Sequence, residues 1–347
     1  MMYRAVSHRP STASLRREVR LRRYRQLLLL SAKLTDPTDP LTKYTEQHFQ
    51  EMYRLSKESF RELLSIIQGD LDRLDNRGRP LPAPYQLLLA LHFYCTGSYQ
   101  KEVGEQHGLE VSQPTVCRTI HRVSEALARR YGQFVVFPST TQAPEIHERF
   151  YEVAQFPNVI GAIDCIHMRI SNPGGTMAEQ CRNSKGWYSI NCQVVVGPNL
   201  CILTAIVRWG GSVPDWLIYD NSRLRRVLEQ ERSYNRAHSS TRRRARQAFG
   251  MIRHRFQCTA RELRSNPKTS CAVILSCFAL HNFVLQRQGP QEDAEAFYAP
   301  DDVPQDRFSG ECDPEGESYR QHIIHEWFSS DAPEEVYQEE RLGESRE

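Results

Sequence analysis

The sequence predicts an α/β protein in which an all-helical region with a helix-turn-helix precedes a sheet-bearing domain. Three features predict it. Between residues 156 and 210, the segments NVIGAIDCIHMRI, WYSINCQVVVG and CILTAIVRWGG concentrate Val, Ile and aromatic side chains, with turn formers at 172–175 and 197–199. Upstream, the apolar run YQLLLALHFYCTG, the short polar run SYQKEVGEQHG and the amphipathic run QPTVCRTIHRVSEALARRY follow one another with glycine stops at Gly97 and Gly108. Downstream, an arginine-rich helical stretch gives way to the more apolar TSCAVILSCFALHNFVLQR. Consecutive strands followed by helices predict an antiparallel meander that opens an α/β domain.

Taken in order, residues 1–34 read as a basic helix that Pro37 and Pro40 terminate. Residues 45–68 place Phe49, Met52, Tyr53, Phe60, Leu63, Leu64 and Ile67 at helical spacing, with Ser56 as an N-cap. Residues 76–84 form a proline-rich loop. The three runs after it make a helix-turn-helix pattern, with Ser112 capping the last helix and Pro114 in its first turn. That last helix would be the one to enter a DNA groove, with Gln113, Thr115, Arg118 and Arg122 on its exposed side. In the arginine-rich helix, Ala245, Ala248, Phe249 and Ile252 share one face, and Arg242, Arg243 and Arg244 are candidates for DNA backbone contact. The predicted organisation is a basic segment over 1–44, a helical region over 45–150, the sheet-bearing domain over 156–288, and an acidic tail over 289–347.

The net charge of +3 conceals segregation. Residues 1–34 carry nine Lys and Arg against one acid, residues 223–268 carry fourteen against three, and residues 290–347 carry eighteen acids against four arginines. Two basic blocks suit a polyanion such as DNA, and counterion release would make that contact salt-sensitive. The longest aliphatic run, residues 27–30, is far too short to cross a bilayer, so no membrane partner is expected. Ten cysteines without a CxxC pair read as reduced thiols, which fits a nuclear protein, with the cytoplasm as a second location.

Two carboxylates stand out. Asp164 ends the apolar run Val159, Ile160, Ala162, Ile163 and is flanked by Cys165 and His167. A carboxylate at a strand exit is a common place for metal or acid chemistry, although a strand-end aspartate also caps turns. Asp215 follows Pro214 and, read alone, is a turn residue. His167 reads as packed beside the site rather than as a ligand.

The ordered blocks FYCTGSYQKEVG, VIGAIDCIHMRI, RNSKGWYSINCQVV, RWGGSVPDW, YNRAHSSTR, FGMIRHRF and ILSCFALHNF together resemble the PIF/Harbinger transposase family and its domesticated, harbinger transposase-derived nucleases. The resemblance implies a DDE catalytic domain of ribonuclease-H-like fold, working on DNA with Mg²⁺ or Mn²⁺, and a separate Myb-like partner protein. Hard divalent ions take oxygen ligands, and an ion pair about 4 Å apart clamps the attacking and leaving oxygens of a phosphodiester. Asp164 matches the family's first acidic ligand and Asp215 the aspartate of its PGSxxD block, which makes both catalytic metal ligands by descent.

The family's GDSGYP-like block has no counterpart, because NSRLRRVLEQ runs directly into ERSYNRAH. The final family glutamate lies three residues before the Phe of FG, and here that position is Arg246. A guanidinium there puts positive charge where a cation should bind. The absent block should also have supplied a strand, so the sheet is expected to be short or distorted. Glu229 and Glu231 are the nearest substitutes as ligands. The sequence therefore predicts a transposase-derived nuclease with an incomplete acid set and impaired cleavage. The alternative is a catalytically inactive DNA-binding or partner-docking protein.

Overall fold

The computed structural model describes residues 40–72, 81–105, 111–154, 157–221 and 235–288. The basic segment 1–34, Gly108, Glu229, Glu231 and the acidic stretch after residue 288 lie outside the described residues. The described residues fall into two compact units. One is drawn from residues 1–134, 252–263 and 268–289, the other from residues 135–251, 264–267 and 290–347.

In the first unit, α1 (Pro40–Lys43) and α2 (Glu46–Tyr53) lead to α3 (Lys57–Leu71), then α4 (Ala83–Thr96), α5 (Gln100–Glu105), α6 (Gln113–Arg129) and α7 (Tyr131–Phe134). Ser56 caps α3 as expected, its side chain accepting from the Ser59 amide at 3.0 Å. Phe49, Phe60, Leu63, Leu87, Leu91, Val116, Ile120 and Val123 are buried, so the helical spacing read from the sequence marks the core face. Tyr94 donates to or accepts from Ser124 Oγ at 2.7 Å inside that core, where burial pushes its phenol well above the ordinary tyrosine range.

Gly97 ends α4 in the left-handed conformation, with φ of 59°, again as expected. The position also has no room for a side chain. A Cβ there would come within 2.9 Å of Arg261 Cδ and 3.0 Å of the Cys258 amide nitrogen. The apolar helix α12 (Pro267–Gln288) buries Val273, Ile274, Cys277, Phe278, Phe283 and Val284. By length and composition it could cross a bilayer, but 78% of its most apolar window is buried inside the protein, which marks it as a core helix.

The second unit contains α8 (Ala143–Ala154) and three strands, β1 (Ala162–Arg169), β2 (Ser189–Val196) and β3 (Ile202–Gly210). They form an antiparallel sheet in the order β1-β2-β3, the meander that the three β-rich segments predicted. Every residue of β2 is buried, so both sheet faces are covered. Two short elements were not foreseen in the sequence. These are α9 (Gly175–Cys181), which follows an Asx turn at Asn172, and α10 (Asp215–Asp220), whereas α8 lies largely within the helical region read over 45–150. Helix α11 (Asn235–Arg255) buries Ala245, Ala248 and Phe249 as its spacing predicted.

One expectation is corrected. Asp164 is the third residue of an eight-residue strand, not the residue at its exit. The apolar stretch before it is not strand, because Asn158 turns the chain with φ of 58° and β1 starts only at Ala162.

Replacing Gly97 by alanine should destabilise the protein by more than about 1 kcal/mol, since an L side chain is strained at that φ and meets backbone. Urea denaturation should show a lower midpoint with an unchanged slope, whereas an unmoved midpoint would contradict the close approach described.

Candidate functional site

Side chains alternate along β1, so Ala162, Asp164, Ile166 and Met168 share one face and Ile163, Cys165 and His167 share the other. Cross-strand pairing carries this alternation into β2. Asp164 lies opposite Val194, while Cys165 lies opposite Gln193 and His167 opposite Asn191. The first face is buried and apolar, and Asp164 is the one carboxylate on its strand, with a side chain only 2% exposed. A buried carboxylate needs charge and hydrogen-bond compensation.

Helix α11 supplies that compensation. Arg246 Nε donates to Asp164 Oδ2 in a short contact, and Arg246 is itself buried, its side chain 7% exposed. One turn earlier, Arg242 donates through Nε and Nη2 to Asp164 Oδ1, both at 3.2 Å. The two arginines are spaced i, i+4, which puts them on one side of the helix beside the buried Ala245 and Phe249. Both oxygens of Asp164 are thus engaged by guanidinium groups. The three side chains together carry one net positive charge.

Asp215 is held on the other face. Its Oδ1 accepts from Asn191 Nδ2 at 2.7 Å, and the same amide donates to the Val213 carbonyl at 3.0 Å. Asp215 is the first residue of α10 rather than part of a turn. Beside it, Asn191 Oδ1 and Gln193 Oε1 are buried acceptors with no hydrogen-bond partner among the described residues. Burial, reinforced by the nearby Asp215 and Asp164 charges, pushes the Cys165 thiol well above its ordinary range. His167 Nδ1 shares a hydrogen bond with Ser189 Oγ at 2.9 Å and packs edge-on against Trp187 at 6.0 Å, which matches its reading as a packing residue.

A divalent ion does not fit these residues. Asp164 and Asp215 belong to opposite faces of the sheet, and the oxygens of Asp164 already face fixed positive charge. Among the described residues no group of three or more His, Cys, Asp or Glu side chains could hold a metal.

The residues read as DNA contacts fall into two sets. On α6, Gln113 and Arg118 are exposed and Thr115 and Arg122 are half-buried; Gln113 donates to Gln100 Oε1 at 2.7 Å, and Arg122 to Gln86 Oε1 at 3.0 Å. On α11, Arg243 is exposed, Arg244 donates to Gln247 at 3.3 Å, and Arg242 is held by Asp164. The sequence reading missed the tie between Arg242 and Asp164. Its signal was present in the i, i+4 spacing of Arg242 and Arg246 on the helix face already marked as buried.

Comparison with known proteins agrees with the lineage. A family model described as DDE superfamily endonuclease matches residues 163–231 and 225–282. HARBI1 of Rattus norvegicus, named as a candidate nuclease, is 29% identical over 327 residues, covering 83% of this chain and 93% of the relative. HARBI1 of Homo sapiens is 29% identical over 281 residues, covering 71% and 80%. These similarities support the resemblance to harbinger transposase-derived nucleases read from the sequence blocks. A more partial relative, Antagonist of Like Heterochromatin Protein 1 of Arabidopsis thaliana, is 28% identical over 171 residues, covering 48% of this chain and 43% of that protein. No solved structure matches. Within this harbinger-derived family the endonuclease domain is ribonuclease-H-like, and the match to it arrives in two segments that meet at residues 225–231, beside the point where the GDSGYP-like block is absent.

Two outcomes follow from this geometry. Asp164→Ala should cost about 3–5 kcal/mol of folding stability, because it removes one partner of a buried ion pair with Arg246. Thermal and urea unfolding measure this, and a loss below about 1 kcal/mol would mean the ion pair is not formed in solution. Cys165 should resist iodoacetamide at neutral pH in the native protein, whereas the exposed Cys117 is alkylated. Peptide mass spectrometry separates the two, and equal labelling would contradict the half-buried, neutral thiol.

Proposed function

We propose that this protein descends from a divalent-metal-dependent nuclease that hydrolyses DNA phosphodiester bonds, and that this copy is impaired in that reaction. The observation that carries the reading is the engagement of both Asp164 oxygens by Arg242 and Arg246. In a metal-assisted hydrolase the first carboxylate must offer its lone pairs to the ion. Here an ion would have to displace three charge-assisted hydrogen bonds from two arginines and then sit beside two like charges. Asp215, matched by the resemblance to a second ligand, is engaged instead with Asn191 on the other face. The family relationship supports the ancestry, and the arginines support the loss.

What remains is a DNA-binding or partner-docking role. The exposed Gln113 and Arg118 on α6 favour this second reading, together with the exposed Arg243 and the basic composition of residues 1–34 and 223–268. The name of the Arabidopsis relative describes antagonism of another protein. A nuclear location, with some protein in the cytoplasm, and a Myb-like partner belong to the same reading and rest on the family resemblance.

A supercoiled-plasmid assay tests the proposal. With Mg²⁺ or Mn²⁺ the wild-type protein should nick no faster than Asp164→Ala. Metal-dependent nicking that Asp164→Ala abolishes would restore the enzyme reading and remove ours.

A further inference from the structure

We propose that the turn of residues 182–187, between α9 and β2, is a DNA-backbone contact in which Arg169, Arg182 and Lys185 bind phosphate oxygens directly. The inference rests on the reading above, that the protein contacts DNA, and adds a surface outside α6 and α11.

The local sequence is unbalanced in charge. Residues 165–214 carry four Lys and Arg, at 169, 182, 185 and 208, against one acid, Glu179. Arg169, Arg182 and Lys185 are exposed and belong to the same unit. Among the described residues none of the three pairs with a carboxylate.

An exposed cation on a loose loop is usually just solvated, and ordering it costs side-chain entropy. This turn is built from below. Asn183 is buried, and its Oδ1 accepts from the Lys185 amide at 3.1 Å and the Trp187 amide at 3.2 Å, while its Nδ2 donates to Ser189 Oγ at 3.2 Å. The backbone closes over it, with the Asn183 amide donating to the Trp187 carbonyl at 3.0 Å and the Gly186 amide to the Asn183 carbonyl at 2.9 Å. Gly186 has φ of 86°, a conformation that an L side chain resists. A Cβ there would lie 4.0 Å from Arg182 Nη2, so the Arg182 guanidinium sits beside the turn that carries Lys185.

Arg169, the last residue of β1, joins them through Trp187. Its guanidinium lies over the indole, 4.6 Å from the ring centroid, and His167 packs edge-on against the same ring. A guanidinium over an aromatic face is fixed in direction while its in-plane N–H groups stay available for an oxyanion. The polar anchor thus holds exposed cations in place, which lowers the ordering cost of binding. Two arginine forks and one lysine point charge suit the repeated phosphates of a DNA strand.

The experiment uses the full-length protein and fluorescein-labelled DNA duplexes of two unrelated sequences, with anisotropy read across a salt series in EDTA. Arg182→Gln and Lys185→Gln, neither of which alters the Asn183 bonds, should each weaken binding about five- to tenfold near about 0.1 M salt and lower the log–log salt slope by about 1. The loss should be the same on both sequences, because phosphate contacts carry no base information. Arg149→Gln is the control, since that arginine is already paired with Glu145 at 2.7 Å, and it should leave affinity and slope unchanged.

An Arg182→Gln/Lys185→Gln protein with wild-type affinity and slope, or an equal loss in Arg149→Gln, overturns this contact while leaving the DNA-binding reading intact. A wild-type protein that binds no duplex at low salt overturns both.

Discussion

The feature on which the rest depends is the ion pair between a sheet carboxylate and two helix arginines. Asp164 is nearly inaccessible to water, on a face otherwise lined by Ala162, Ile166 and Met168. A bare carboxylate could not be kept there at tolerable cost. In a metal-dependent nuclease the compensating charge arrives from solution as an ion. In this chain it is covalently part of helix α11, through Arg242 and Arg246. Arg246 thereby supplies counter-charge that lets Asp164 stay buried. The ion pair in this way holds the sheet and the helix together.

That arrangement also explains why the two inherited aspartates have separate fates. Asp164 is tied to the helix side of the sheet. Asp215 begins α10 and is tied to Asn191 on the opposite face, next to the buried acceptors Asn191 Oδ1 and Gln193 Oε1. Without the GDSGYP-like block between them, the described residues contain nothing that bridges the two faces with oxygen ligands.

Much of the fold was legible in the sequence because its signals are local. Period-2 and continuous apolar runs gave the three strands and their order, and Gly97, Ser56 and Pro114 marked helix ends through backbone geometry and capping. The short helices α9 and α10 were not legible. Seven residues such as Gly175–Cys181 carry too few turns for a periodic pattern, and their formation depends on packing. The interleaving of residues 252–263 and 268–289 with the N-terminal helices is likewise a tertiary property. At the site, Arg246 was visible as a lost acid through the family pattern, whereas the engagement of Arg242 needed the helix phase relative to the strand. A run of arginines looks the same in sequence whether it faces solvent or a buried carboxylate.

The central claim is that protein-borne positive charge occupies the place of the divalent ion. A crystal of the full-length protein grown in Mn²⁺, with anomalous scattering collected for manganese, tests it most directly. The account predicts Arg246 and Arg242 on Asp164 and no manganese peak beside it. An ordered manganese pair linking Asp164 to Asp215, with the arginines displaced, would contradict it.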